Sequence, residues 1–63
     1  SYEPEIRRKF YDDDSPIHPA EAIERMELLG HSSYLFKNIE NGIYGMIYKR
    51  SKGGYGLIQP KLW

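Results

Sequence analysis

Two glycine-bearing turns, Ile39-Glu40-Asn41-Gly42 and Ser51-Lys52-Gly53-Gly54, cut the second half of the chain into three segments of strand length. Asn-Gly is among the strongest hairpin signals. The spacing predicts strands over 33–38, 43–50 and 55–59, the last stopped by Pro60, which has no amide hydrogen for a ladder. Such a stretch folds as consecutive antiparallel hairpins. Its apolar residues need another element to pack against.

The cover is a helix over 19–29. Pro19 suits the first helical position, where its missing N–H is not needed. Glu21 lies in the first turn, toward the positive end of the helix dipole, and three residues after His18, echoing a capping box. His18 is a poor N-cap beside serine or aspartate. Ala22, Ile23, Met26 and Leu29 form one apolar stripe at helical spacing. Glu21 and Arg25 are spaced for an i,i+4 pair, and Gly30 fits the left-handed position that closes a helix.

Ahead of the helix, residues 5–11 read as a further strand, with Ile6, Arg8 and Phe10 on one face and Arg7 and Lys9 on the other. Asp12-Asp13-Asp14-Ser15-Pro16 breaks both periodicities and reads as a loop. The expected fold is α+β: one helix on a small, mainly antiparallel four-stranded sheet, in the order β-α-β-β-β. With four residues in each turn, Asn38 stands opposite Ile43 and Arg50 opposite Tyr55. Alternation then places Tyr34, Phe36, Ile43, Ile47 and Ile58 on one face, and Leu35, Tyr44, Met46, Tyr48, Tyr55 and Leu57 on the other. One helix covers one face, so the expected helix-side core is Ala22, Ile23, Met26, Leu29, Tyr34, Phe36, Ile47 and Ile58. The second apolar face is left for a partner. This assignment depends on the turn lengths, because a one-residue slip exchanges the faces of a strand.

At 63 residues the chain is one small domain, a size that buries only about 60% of the surface its unfolded form exposes. Domains this small usually need a disulfide, a metal or oligomerisation. There is no cysteine, and the two histidines, His18 and His31, are too few for a typical structural zinc site without several carboxylates. No metal or cofactor is expected, which leaves oligomerisation. Nine basic and nine acidic residues balance to zero net charge, which argues against a dominant phosphate-binding surface. No apolar run approaches the ~20 residues that span a bilayer. Residues 5–60 are expected to form the folded part and 1–4 and 61–63 loose ends, the whole a fragment of a larger protein. No nucleophile–base pair or pocketed carboxylate pair stands out, so an enzyme is not expected.

Glu21-Ala22, Met26-Glu27-Leu28-Leu29-Gly30-His31, Phe36, Asn38, Gly42, Tyr48-Lys49-Arg50, Gly53 and Tyr55-Gly56-Leu57-Ile58-Gln59-Pro60, at this spacing without gaps, resemble the C-terminal domain of long-form hibernation-promoting factors of bacteria and plastids, the ribosome-associated sigma-54 modulation family. The resemblance runs from about Ile6 to Pro60. It implies a helix on a small antiparallel sheet in a tight or strand-exchanged homodimer. It further implies an N-terminal domain, outside this sequence, that binds the small ribosomal subunit, and a role in joining two ribosomes into an inactive pair. The expected location is the cytoplasm, or the plastid stroma for a plant parent. The chain departs from the family pattern at His18, at Ser32 and Ser33, where an acidic residue and an aromatic are usual, and at Tyr44 and Gly45. Tyr44 is the candidate to replace volume lost at Ser33.

The expected dimer interface is therefore Ser33, Leu35, Tyr44, Met46, Tyr48, Tyr55 and Leu57, since aromatics dominate such centres. Arg7, Arg8 and Lys9, with Lys49, Arg50 and Lys52, are candidate contacts to ribosomal RNA, with nearby tyrosines able to stack on bases; as a solvated strand edge they would instead discourage aggregation. His31 suits the negative end of the helix dipole. Asp12-Asp13-Asp14 lacks the glycine and distal glutamate of a calcium loop, and Lys52-Gly53-Gly54-Tyr55-Gly56 lacks the spacing of a phosphate-binding loop. Three readings stay open: a homodimerising module, a monomeric RNA- or ribosome-binding module, and a binder of another protein through the same apolar face.

Overall fold

Helix α1, Pro19–Leu29, begins where Pro19 fixes the first turn and ends where Gly30 enters the left-handed region at φ 71°. At that end the Gly30 amide donates to the Glu27 carbonyl (3.1 Å) and the His31 amide to the Met26 carbonyl (3.0 Å), so two otherwise orphaned carbonyls are satisfied. His18 is the N-cap in extended conformation but makes no side-chain capping bond; only its carbonyl engages, accepting from the Ala22 amide at 3.1 Å. The computed structural model describes residues 3–10 and 14–61.

Three strands follow: β1, Ser33–Lys37; β2, Tyr44–Lys49; and β3, Tyr55–Ile58. They form one antiparallel sheet in the order β1-β2-β3. The first turn is held by Asn38. Its carbonyl accepts from the Gly42 amide (2.7 Å) and its Oδ1 from the Glu40 amide (2.9 Å), while Asn41 Oδ1 accepts from the Ile43 amide (3.0 Å). Asn38 is buried, so these bonds serve a polar side chain that would otherwise be costly inside the fold. Asn38 stands opposite Ile43, its amide donating to the Ile43 carbonyl at 2.8 Å, as four turn residues require.

The second turn is one residue tighter. The Arg50 amide donates to the Gly54 carbonyl at 3.1 Å, and Gly53 and Gly54 both take positive φ, 100° and 75°. Residue 50 therefore faces 54 rather than 55, and the register runs Met46 to Ile58, Ile47 to Leu57, Tyr48 to Gly56 and Lys49 to Tyr55. Two adjacent glycines let the chain reverse in less length than the expected four residues. The consequence is that β3 presents Tyr55 and Leu57 to the helix side and Ile58 to the other side, the reverse of the expectation from sequence.

The expected strand over 5–11 is also corrected. Residues 5–10 form no strand, and Tyr11 lies outside the described residues, as do Asp12, Asp13, Leu62 and Trp63. The outer side of β1 instead receives Ile17 in a single parallel bridge to Asn38: the Ile17 amide donates to the Lys37 carbonyl and the Ile39 amide to the Ile17 carbonyl, both at 2.9 Å. Ile17 is held one residue from the helix N-cap and is buried, so it gains both ladder bonds and packing. Ile6 and Phe10 have no such cover, at 69% and 89% exposed.

The core is Ile17, Ala22, Met26, Phe36 and Ile47, with Ile23 and Tyr34 packed against it. Helix α1 lies on β1 and β2 and not on β3. Two residues expected in the helix-side core are accordingly outside it: Leu29, in the last turn, is 57% exposed, and Ile58, turned to the opposite face, 59% exposed.

Candidate functional site

The side of the sheet away from the helix is built by alternation. In an antiparallel sheet, directly opposed residues share a face, so Ser33 with Tyr48 and Gly56, Leu35 with Met46 and Ile58, and Lys37 with Tyr44 form three successive rows. Leu35, Tyr44, Met46 and Ile58 are exposed and Tyr48 is half-buried. Among the described residues this is a contiguous apolar surface with no covering element.

Tyr48 is half-buried by its neighbour on β3. An added Cβ on Gly56 would come within 2.5 Å of the Tyr48 hydroxyl oxygen, so the ring occupies the space a side chain at 56 would need. Ser33, on the other flank of Tyr48, adds little volume there. Tyr44 lies at the far end of β2, opposite Lys37, and does not replace the volume missing at Ser33. Tyr55 and Leu57, expected on this face, lie on the helix side instead; Leu57 stands opposite Ile47.

β1 adds an open edge. Lys49 donates to the Ser32 carbonyl and Asn38 to the Ile43 carbonyl, which makes the alternate residues Tyr34 and Phe36 the ones bonded inward to β2 and aims the backbone groups of Ser33 and Leu35 outward. Beyond this edge a groove of about 470 Å³ is lined in part by Lys9, Ser15, Arg25, His31 and Lys37. Phe10 reaches the other face of the edge, bordering a shallower hollow with Lys9, Leu35 and Tyr44.

The candidate RNA contacts do not converge. Lys49 projects to the helix side, where Nζ pairs with Glu27 Oε1 at 2.8 Å; Tyr55 donates its hydroxyl to Glu27 Oε2 at 2.6 Å. These bonds lower the Glu27 pKa, first through Lys49 and then through Tyr55, and raise those of Lys49 and Tyr55, in both through the bond to Glu27. This three-way clasp was not foreseen from sequence. Its signal is the Lys49–Tyr55 register pair, which becomes visible only with the shorter turn. Arg7 pairs with Glu5 at 2.5 Å; Arg8, Lys9, Arg50 and Lys52 are exposed. Arg25 pairs with Glu21 at 2.8 Å, and bonds to Tyr34 and Glu21 raise its pKa. Among the described residues no three His, Asp or Glu side chains gather as a metal site, and no helix is long and apolar enough to cross a membrane.

The fold and this surface define a small α+β domain with one covered and one uncovered sheet face. The chain belongs to the family described as the sigma 54 modulation/S30EA ribosomal protein C terminus, whose family model matches residues 1–57. It is 46% identical over 57 residues to the chloroplastic ribosome-binding factor PSRP1 of Spinacia oleracea, covering 90% of this chain and 19% of that protein. It is 40% identical over 58 residues to a ribosome hibernation promotion factor of Picosynechococcus, covering 92% of the chain and 30% of the relative. A third relative, the ribosome hibernation promotion factor of Bacillus subtilis, is 42% identical over 45 residues, 71% of the chain and 24% of that protein. The chain thus spans less than a third of the length of each.

Proposed function

We propose that this chain is a non-catalytic homodimerising module of a ribosome-associated protein, and that pairing of two copies joins ribosomes into inactive dimers, restraining translation under stress or in stationary phase. The observation that carries the reading is the uncovered face formed by Leu35, Tyr44, Met46, Tyr48 and Ile58. Exposing it costs a domain this small a large share of the burial available to it. A second copy supplies the matching apolar surface, and the open edge of β1 offers backbone groups to a strand from that copy. Relative to the interface expected from sequence, Ser33, Leu35, Tyr44, Met46 and Tyr48 stay, Ile58 joins, and Tyr55 and Leu57 leave.

The ribosomal part of the reading is supported by the family and by relatives named as ribosome-binding and ribosome hibernation factors. Contact with the small subunit is assigned to an N-terminal domain of the parent protein, in a bacterial cytoplasm or a plastid. Direct RNA contact by this domain is at most secondary, since Lys49 is already paired with Glu27.

Light scattering on the chain at tens of micromolar tests the pairing. The wild type is expected as a dimer and Met46→Asp as a monomer with an unchanged far-UV spectrum. A monomeric wild type, or a dimeric Met46→Asp with a native spectrum, overturns it. Sedimentation of ribosomes with the full-length parent carrying Met46→Asp then tests the ribosomal claim: loss of the paired-ribosome peak is expected, and its persistence rejects the role.

A further inference from the structure

Ser15-Pro16 is a motif the pairing reading leaves unused. Pro16 restricts Ser15 to extended backbone, and Ser15 is exposed. Two residues on, Ile17 is pinned to β1 through the Lys37 carbonyl and the Ile39 amide. Ser15 is thereby held at the groove beyond the β1 edge, whose charged or titratable lining side chains are Lys9, Arg25, His31, Tyr34 and Lys37, with no carboxylate among them. Arg25 is engaged by Glu21, which leaves Lys9 and Lys37 as the main source of positive charge.

We propose that Ser15 is a phosphorylation site for a proline-directed protein kinase, and that its phosphoryl group docks against Lys9 and Lys37 at the open edge of β1. In the transfer, Ser15 Oγ bonds to the terminal phosphorus of a nucleoside triphosphate. The bond from that phosphorus to the bridging oxygen breaks, nucleoside diphosphate leaves, and the hydroxyl proton passes to the kinase base. The added group carries nearly two negative charges and three acceptor oxygens, enough to form new charge-assisted bonds with the lysines. The inference does not depend on the pairing reading.

The full chain is incubated with a proline-directed kinase and ATP, beside a control Ser-Pro peptide, and the product is mapped by mass spectrometry. One phosphoryl group at Ser15, absent in Ser15→Ala, is expected. Titration followed by phosphorus NMR then reads the docking. The phosphoserine midpoint should fall by about half a pH unit or more relative to the urea-unfolded chain, because nearby cations favour the dianion. Most of that shift should vanish in Lys9→Gln/Lys37→Gln and at high salt. No incorporation at Ser15 while the control is modified overturns the site. A midpoint equal to that of the unfolded chain, or one unmoved by the double substitution, overturns the docking.

Discussion

The ring of Tyr48 lies over the backbone of Gly56, its direct partner across β2 and β3. Glycine at 56 is therefore a packing requirement: a methyl group there would displace the ring from its seat. Gly56→Ala is expected to lower stability by about 1–3 kcal/mol, the range for overpacking, read as a lower urea midpoint. In Tyr48→Ala the same substitution should cost less. Equal costs in the two backgrounds would show that the residues do not share this space.

The Glu27 clasp predicts a pH dependence. The Glu27 pKa is lowered in the fold, so its contribution is fully present above the unfolded glutamate pKa, ordinarily about 4.3, and is lost as pH falls through the lower folded value. Lys49 and Tyr55 are both raised, so their contributions are complete below their unfolded values and are lost as pH rises through the folded ones. The stability difference between wild type and Glu27→Gln should be greatest across the neutral range and shrink at both extremes. All three side chains are solvent-accessible, so the difference should also shrink in high salt. A difference flat with pH would reject the clasp.

The tight second turn gives β3 two unlike faces. Ile58→Lys should abolish pairing with little loss of monomer stability, because Ile58 lies on the uncovered face. Leu57→Lys, opposite Ile47, should act more on the melting temperature than on the dimerisation constant. Light scattering and thermal melts on the two variants separate the registers; the reverse pattern would restore the four-residue turn.

Met26 is fully buried under the sheet. Met26→Ala should cost about 2–5 kcal/mol, from lost transfer energy and the cavity left behind. That is a large part of the stability of a domain this size, so the variant should be substantially unfolded at 37 °C by circular dichroism.

Much of the local structure was legible because its causes are local. Pro19 and Gly30 bound α1, since each acts through its own backbone preference. Asn41-Gly42 sets the first hairpin, whose bonds all fall within six consecutive residues. Ile17 escaped notice because a single apolar residue between two prolines has no periodicity; its place depends on β1 lying beside it. Residues 5–10 carried a strand-like alternation, but alternation produces a strand only where a neighbouring edge and an apolar surface receive it.

The sequence by itself therefore determined the helix, the three hairpin strands, the absence of disulfides and the presence of more apolar side chains than one helix can cover. Tertiary structure alone decided which of them stay uncovered. That choice turned on one residue of turn length at Gly53-Gly54, where strand alternation converts a 3.4 Å shift along the chain into a change of face. It moved Tyr55 to Glu27 and Leu57 to Ile47, and placed Ile58 with Leu35 and Met46.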